Sequence, residues 1–158
     1  MYSLYTGARS GEVLNLEWSR IDFDKSRVYL YPKNQKSRKH GTLILTPPSK
    51  IALLNRKAFH MEHCSDSPWV FCQRNGNKIS SIKKSFKCAL EKSGIDKKIT
   101  IHTLRHTFIS WLVQAGQDII RVKQVARHAN INTTMRYSHL SPDEGHETVK
   151  ALFQDTDF

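Results

Sequence analysis

Only three short runs in these 158 residues have the composition of β-strands: residues 27–31 (RVYLY), 41–45 (GTLIL) and 69–72 (WVFC). A sheet that small has too little apolar face to build a core, so helices must supply most of the buried surface. The first two runs are rich in β-branched and aromatic residues and read as antiparallel neighbours. Between them lies KNQKSRKH, residues 33–40, a polar and basic hairpin tip, with Pro32 at a strand edge where its missing N–H does no harm. Residues 22–25 (DFDK) read as the turn before the first strand.

The remaining segments carry helical spacing. Thr6-Gly7 reads as a turn, after which Ser10 is placed to cap a helix holding Val13, Leu14 and Trp18. A second helix is expected over residues 49–63, with Ile51, Leu54 and Ala58 on one side. A third, capped by Ser80 and stopped at Gly94, aligns Ile82, Phe86 and Ala89/Leu90, with Lys83, Lys84 and Lys87 on its other face. Residues 103–115 form the strongest pattern: Leu104, Phe108, Trp111/Leu112 and Ala115 make a stripe and Gly116 ends it. Asp118 caps a helix burying Ile119, Val122 and Val125/Ala126, and Asn132 opens a short one holding Thr133, Thr134 and Tyr137. Residues 141–158 read as a tail helix with Val149, Leu152 and Phe153, too sparse to form a core of their own. The expectation is a single domain, mainly α with a small antiparallel sheet.

Charge narrows the function. Lysine and arginine total 25 against 14 aspartate and glutamate, a net +11, which favours a polyanionic partner through counterion release. No window is long and apolar enough to span a membrane, and the N-terminus lacks the layout of a signal peptide, so a cytoplasmic protein is expected. Three cysteines, Cys64, Cys72 and Cys88, form no CxxC pair and read as reduced thiols. His60, His63, Cys64 and Cys72 are close in sequence, but their spacing fits no zinc module.

Three blocks carry chemistry. In TGARSGE, residues 6–12, Arg9 opens a helix, where backbone N–H groups also favour an anion. In HTLRH, residues 102–106, His102 and Arg105 are three apart and share a helix face. In HANINTTMRYSH, residues 128–139, Tyr137 follows His128 by nine positions. Arginine grips two phosphate oxygens with a planar, permanently charged fork, and a tyrosine can serve as nucleophile, so the set suits metal-free phosphoryl transfer. Each residue alone also has an ordinary explanation: Arg9 pairing with Glu12 across a turn, His102 capping its helix, or Tyr137 a half-buried aromatic.

Taken in order, TGARSGEVLNLEW, the basic hairpin, HTLRHTF and HANINTTMRYSHL resemble the tyrosine recombinase, or phage integrase, family over residues 4–140. The resemblance implies the catalytic-domain fold of that family and DNA strand cleavage and rejoining through a 3′-phosphotyrosyl intermediate. It implies that Arg9 and Arg105 bind the non-bridging oxygens, Lys33 protonates the leaving 5′ oxygen, His102 and His128 assist, and Tyr137 attacks phosphorus. Glu12 is expected to orient Arg9 or a neighbouring group, His106 to support the site, and Lys36, Arg38, Lys39, Lys83, Lys84 and Lys87 to contact DNA. No metal, ATP or other cofactor is implied. The partners implied are double-stranded DNA and further recombinase protomers, a tetramer in the full complex, with the tail from residue 141 docking on a neighbour or packing on its own domain.

Three departures from the family pattern stand out, one being the extra hairpin residues around His40-Gly41-Thr42, which bear on the register of its lysines. Arg127 replaces the usual glycine before His128, a substitution that strains the backbone if φ there is positive. The resemblance also begins at residue 4, so the chain is expected to lack the family's N-terminal DNA-clamping domain. Other functions weigh less. A DNA-binding module without catalysis does not account for the intact set of Arg9, Lys33, His102, Arg105, His128 and Tyr137. A type IB topoisomerase-like nicking-closing enzyme would use the same residues with a different assembly. A metal hydrolase on His102 and His106 lacks the HExxH glutamate and places Arg105 against the cation.

Overall fold

A computed structural model describes residues 1–31, 41–95 and 99–142. The chain divides into two compact units, Met1–Phe108 and Ile109–Phe158.

The first unit opens with helix α1 (Tyr2–Thr6), which sequence spacing did not reveal; it stops at Gly7, whose φ of 63° is left-handed. Helix α2 (Ser10–Leu14) follows at once. Its N-cap is Arg9, not Ser10, because the Glu12 carboxylate reaches back to accept the Arg9 backbone N–H at 2.8 Å. The helix also ends before Trp18, which instead starts a 3-10 turn, Trp18–Arg20.

The sheet has the order β1 (Ile21–Asp22), β2 (Arg27–Leu30), β3 (Gly41–Ile44), antiparallel throughout. The two expected strands are present, and β1 adds a short third. Val28 pairs with Leu43, so both enter the core, while Tyr29 and Ile44 point outward. Residues 69–72 do not make a strand; Trp69 and Cys72 form isolated bridges to Glu17 and Lys78. The core of this unit gathers Val28, Leu30, Leu43 and Leu45 from the sheet region with Tyr2, Ala8, Val13, Leu16, Leu53 and Val70. Burying Leu53 completely contributes about 1.5–3 kcal/mol.

Helix α3 (Pro47–His63) packs on α1 and starts earlier than expected, because proline suits a first helical turn. Its buried face is Ser49, Leu53 and His60, and the side bearing Ile51 and Leu54 is exposed, at 60% and 54%. The physical reason is polar: Arg56 donates to the Val70 and Cys72 carbonyls, and His60 Nε2 to the Ser67 carbonyl. Those loop carbonyls need donors, and that need turns the helix. Helix α4 (Lys83–Lys92) has Ile82, not Ser80, at its N-cap, and Ala89 is exposed; Gly94 follows in the left-handed region with φ of 69°.

Helix α5 (Ile101–Gln114) also differs in its buried face. Arg105, Ile109 and Val113 are buried at i, i+4 and i+8, Leu104, Phe108 and Leu112 flank them half-buried, and Trp111 and Ala115 are exposed. In the second unit, Asp118 caps α6 (Ile119–Ala126) by accepting from the Ile120 and Arg121 N–H groups. Val122 and Ala126 are buried, whereas Val125 is exposed. Helix α7 (Asn132–Met135) packs on α6 and ends before Tyr137, which caps the 3-10 turn Ser138–Leu140 instead of lying within the helix. Among the described residues, this unit buries Ile109, Val113, Val122, Ala126 and Thr134.

Candidate active site

Five of the expected site residues, Arg9, Glu12, His102, Arg105 and His106, share one electropositive locality in the first unit. Arg9 Nη1 donates to Glu12 Oε1 at 2.9 Å, and the same carboxylate holds the Arg9 backbone N–H. The Glu12 side chain is 1% exposed and that of Arg9 28%, so a buried carboxylate fixes a guanidinium that still reaches solvent. A buried carboxylate is tolerated where it is paired and hydrogen-bonded, as here.

Arg105 is 2% exposed, and its Nη1 donates to the Gly7 carbonyl at 2.5 Å. Gly7 and Phe108 fit tightly: a Cβ on Gly7 would stand 2.5 Å from Phe108 Cδ1. Glycine is therefore required twice there, by φ and by close approach, so that the turn before Arg9 meets α5. His102 lies one turn before Arg105. Its ring meets that of His106 edge-on, with centroids 4.6 Å apart and planes at 89°. The His102 pKa is lowered from 6.5, first by partial desolvation and then by the positive charges of His106, Arg105 and Arg9. A neutral imidazole is thus favoured near neutral pH, able to donate or accept a hydrogen bond.

The second unit holds His128 and Tyr137. His128 Nδ1 lies 2.9 Å from the hydroxyl of Thr134, which is completely buried. His128 is placed by the end of α6: its N–H returns to the Lys123 carbonyl, and that of Arg127 to the Gln124 carbonyl. This double return is a Schellman motif, and it requires a left-handed residue at Arg127, observed at φ 56° and ψ 44°. Tyr137 is half-buried, and its N–H donates to the Thr134 carbonyl. Thr134 therefore touches both residues, His128 through its side chain and Tyr137 through its backbone.

Lys83, Lys84 and Lys87 are exposed on α4, with Lys87 3.7 Å from Glu91. Lys33, Lys36, Arg38 and Lys39 lie outside the described residues, as does most of the tail from residue 141. Sequence reasoning missed Thr134 and the role of Gly7. The signals were present: a buried-phase threonine three residues before Tyr137, and a glycine directly ahead of the Arg9 block.

Comparison with known proteins places the chain among recombinases. It is 29% identical over 164 residues to the integrase of Salmonella phage P22, covering 96% of this chain and 41% of that protein. It is 31% identical over 150 residues to tyrosine recombinase XerD of Bifidobacterium longum, covering 90% of this chain and 49% of that one. The crystal structure of XerA recombinase superposes with a TM-score of 0.76 at 28% identity, over 99% of this chain and 57% of that one. The chain thus spans about half the length of these relatives. No helix among the described residues is long and apolar enough to cross a membrane. The phage integrase family model matches residues 1–144, and the chain belongs to that family.

Proposed function

We propose that this chain is one catalytic domain, residues 1–158, of a tyrosine recombinase that cuts and rejoins DNA strands at specific sites. The observation that carries the reading is the hydrogen bond from buried Arg105 to the Gly7 carbonyl, two residues ahead of Arg9. It ties two arginines, distant in sequence, to one turn in the first unit, where Glu12 orients Arg9. Paired forks of this kind suit the non-bridging oxygens of a phosphodiester, and an overall charge of +11 suits its polymer.

In the proposed reaction, the Tyr137 oxygen attacks phosphorus, the P–O5′ bond breaks, and Lys33 gives its proton to the departing oxygen. Arg9 and Arg105 neutralise charge building on the non-bridging oxygens. His102 and His128 donate hydrogen bonds and relay protons, with His106 beside His102. Reversal by a second strand's 5′ hydroxyl seals the exchange, and the phosphotyrosyl bond conserves the energy of the one it replaced. Lys36, Arg38, Lys39, Lys83, Lys84 and Lys87 contact the DNA backbone. Four protomers assemble on DNA, with the tail from residue 141 docked on a neighbour.

A suicide duplex that loses a short 5′-hydroxyl fragment tests the reading. The protein should form a gel-stable covalent adduct, in chelator as well as without it. Tyr137→Phe should abolish the adduct while leaving DNA binding nearly unchanged. An adduct that survives in Tyr137→Phe, or maps to another tyrosine, refutes the assignment.

A further inference from the structure

Three buried side chains that the proposed reaction does not use meet at the C-terminal end of α3: His60, Cys64 and Cys72, at 7%, 7% and 3% exposure. Their ligand atoms lie within 4.8 Å of one another, so a metal ion is one chemistry to weigh. Three features disfavour it. Nε2 of His60, which reaches furthest from the helix, is committed to the Ser67 carbonyl at 2.7 Å. Arg56 already places a cation against Cys72 Sγ, at 3.4 Å. Finally, the two sulfurs are 2.8 Å apart, whereas thiolates on tetrahedral zinc stand about 3.8 Å apart given Zn–S of about 2.3 Å.

The same spacing suits a bond between the sulfurs, which requires about 2.05 Å. The surroundings hold the pair in place. Cys64 is the C-cap of α3, and the chain between the cysteines is fastened by Ser67 N–H to the Cys64 carbonyl, Ser67 Oγ to the Gly76 carbonyl and Arg56 to the Val70 and Cys72 carbonyls. Little chain entropy is left to lose on closing so short a loop. Burial raises the Cys64 pKa, so it stays a thiol and can donate to the Cys72 sulfur, which also receives the Arg56 N–H. The Arg56 guanidinium beside Cys72 is the electropositive neighbour that a cysteine sulfur needs to react with a small electrophile.

We infer that Cys64 and Cys72 are a built-in modification site, a dithiol that closes to a disulfide when a peroxide oxidises it. Cys72 sulfur displaces hydroxide from hydrogen peroxide to become a sulfenic acid, and its former proton converts that hydroxide to water. The Cys64 sulfur then attacks the sulfenic sulfur, the S–O bond breaks, and the Cys64 proton leaves with the hydroxyl as a second water. Two thiols and one peroxide give one disulfide and two waters. Exposed Cys88 on α4 stands alone and serves as the reference thiol. Closure ties the end of α3 to the segment carrying core residue Val70, so it stabilises this unit without altering any residue of the proposed active site.

The test uses the folded chain with Cys88→Ser, treated with hydrogen peroxide at a dose that oxidises Cys88 in the unsubstituted protein. After denaturation and alkylation, the expected product has lost two hydrogens, carries no alkyl group, and yields a joined Cys64–Cys72 peptide that reductant separates. Its thermal midpoint should exceed that of the reduced form. With Cys64→Ser added, Cys72 should proceed to sulfinic acid. The inference is overturned if both thiols remain alkylatable at that dose, or oxidise singly. It is equally overturned if the purified protein holds stoichiometric zinc whose removal by chelator releases both thiols.

Discussion

Arg127 provides the most direct test of how the second unit is built. Its φ of 56° and ψ of 44° lie in the left-handed region, where a side chain with a Cβ is disfavoured by about 1–2 kcal/mol. Glycine removes that penalty but restores freedom to the unfolded chain, a counter-effect of about 0.5–1 kcal/mol. The side chain has contacts of its own, including Nη1 to the Val125 carbonyl at 3.5 Å, so Arg127→Gly alone would mix two effects. The informative comparison is Arg127→Ala against Arg127→Gly, since both lose the guanidinium and only glycine loses the Cβ. Glycine should be the more stable by about 1 kcal/mol, roughly fivefold in the folding equilibrium and about 2–4 °C in thermal midpoint for a chain of this size. Urea denaturation followed by far-ultraviolet circular dichroism measures it. Helix α5 supplies a mirror control: it ends in the same double return, from Gly116 to Val113 and Gln117 to Leu112, with Gly116 at φ 72°. Gly116→Ala should cost the same amount that Arg127→Gly gains over alanine. If alanine and glycine at 127 are equally stable while Gly116→Ala is destabilised, residue 127 is not left-handed and this account of how His128 is placed is wrong.

Three further outcomes follow from the geometry. Thr134→Val keeps the buried shape but strips the hydroxyl beside His128 Nδ1, so adduct yield should fall about fivefold, the equivalent of one hydrogen bond, with Thr134→Ser restoring most of it; unchanged adduct formation would remove Thr134 from the site. Gly7→Ala combines a left-handed backbone with a clash against Phe108 and should destabilise by about 2–5 kcal/mol, read by urea midpoint; a loss below 1 kcal/mol would mean the turn moves freely. His102 binds its proton less readily in the folded state than its ordinary value of 6.5, so its contribution to stability is present above that pH and is lost as pH falls below it. His102→Gln should therefore flatten the acid side of the stability profile, and an unchanged slope would argue against the shift.

The parts legible from sequence were those in which a residue type is forced by what it does. The Arg9, HTLRH and Tyr137 blocks made the family legible because they stand in order along one chain, each alone having an ordinary explanation, and Gly94, Gly116 and Asp118 end or start helices as their chemistry demands. The orientation of α3 was not legible, since Arg56 and His60 turn inward to satisfy loop carbonyls that no local pattern announces. In α5 the counting of apolar residues missed a buried charge: Arg105 occupies the inward phase and pushes Trp111 outward. Arg127 was visible as a departure from the family pattern, but its backbone conformation emerged only with the hydrogen bonds around it. Thr134 looked like any helix-opening threonine until His128 stood against it.

The contact between Arg105 and Gly7 also dictates an order of events during folding. The Arg9–Glu12 pair closes over three residues and can form as soon as α2 does. The Arg105 contact spans 98 positions, so its loop-closure entropy must be met by core contacts gathered elsewhere first. On a ribosome, the carbonyl that Arg105 will claim has emerged long before Arg105 itself is made. The two arginines therefore mature on different clocks, one local and early, the other arriving only when the sheet, α3 and α5 have brought distant ends of the unit together.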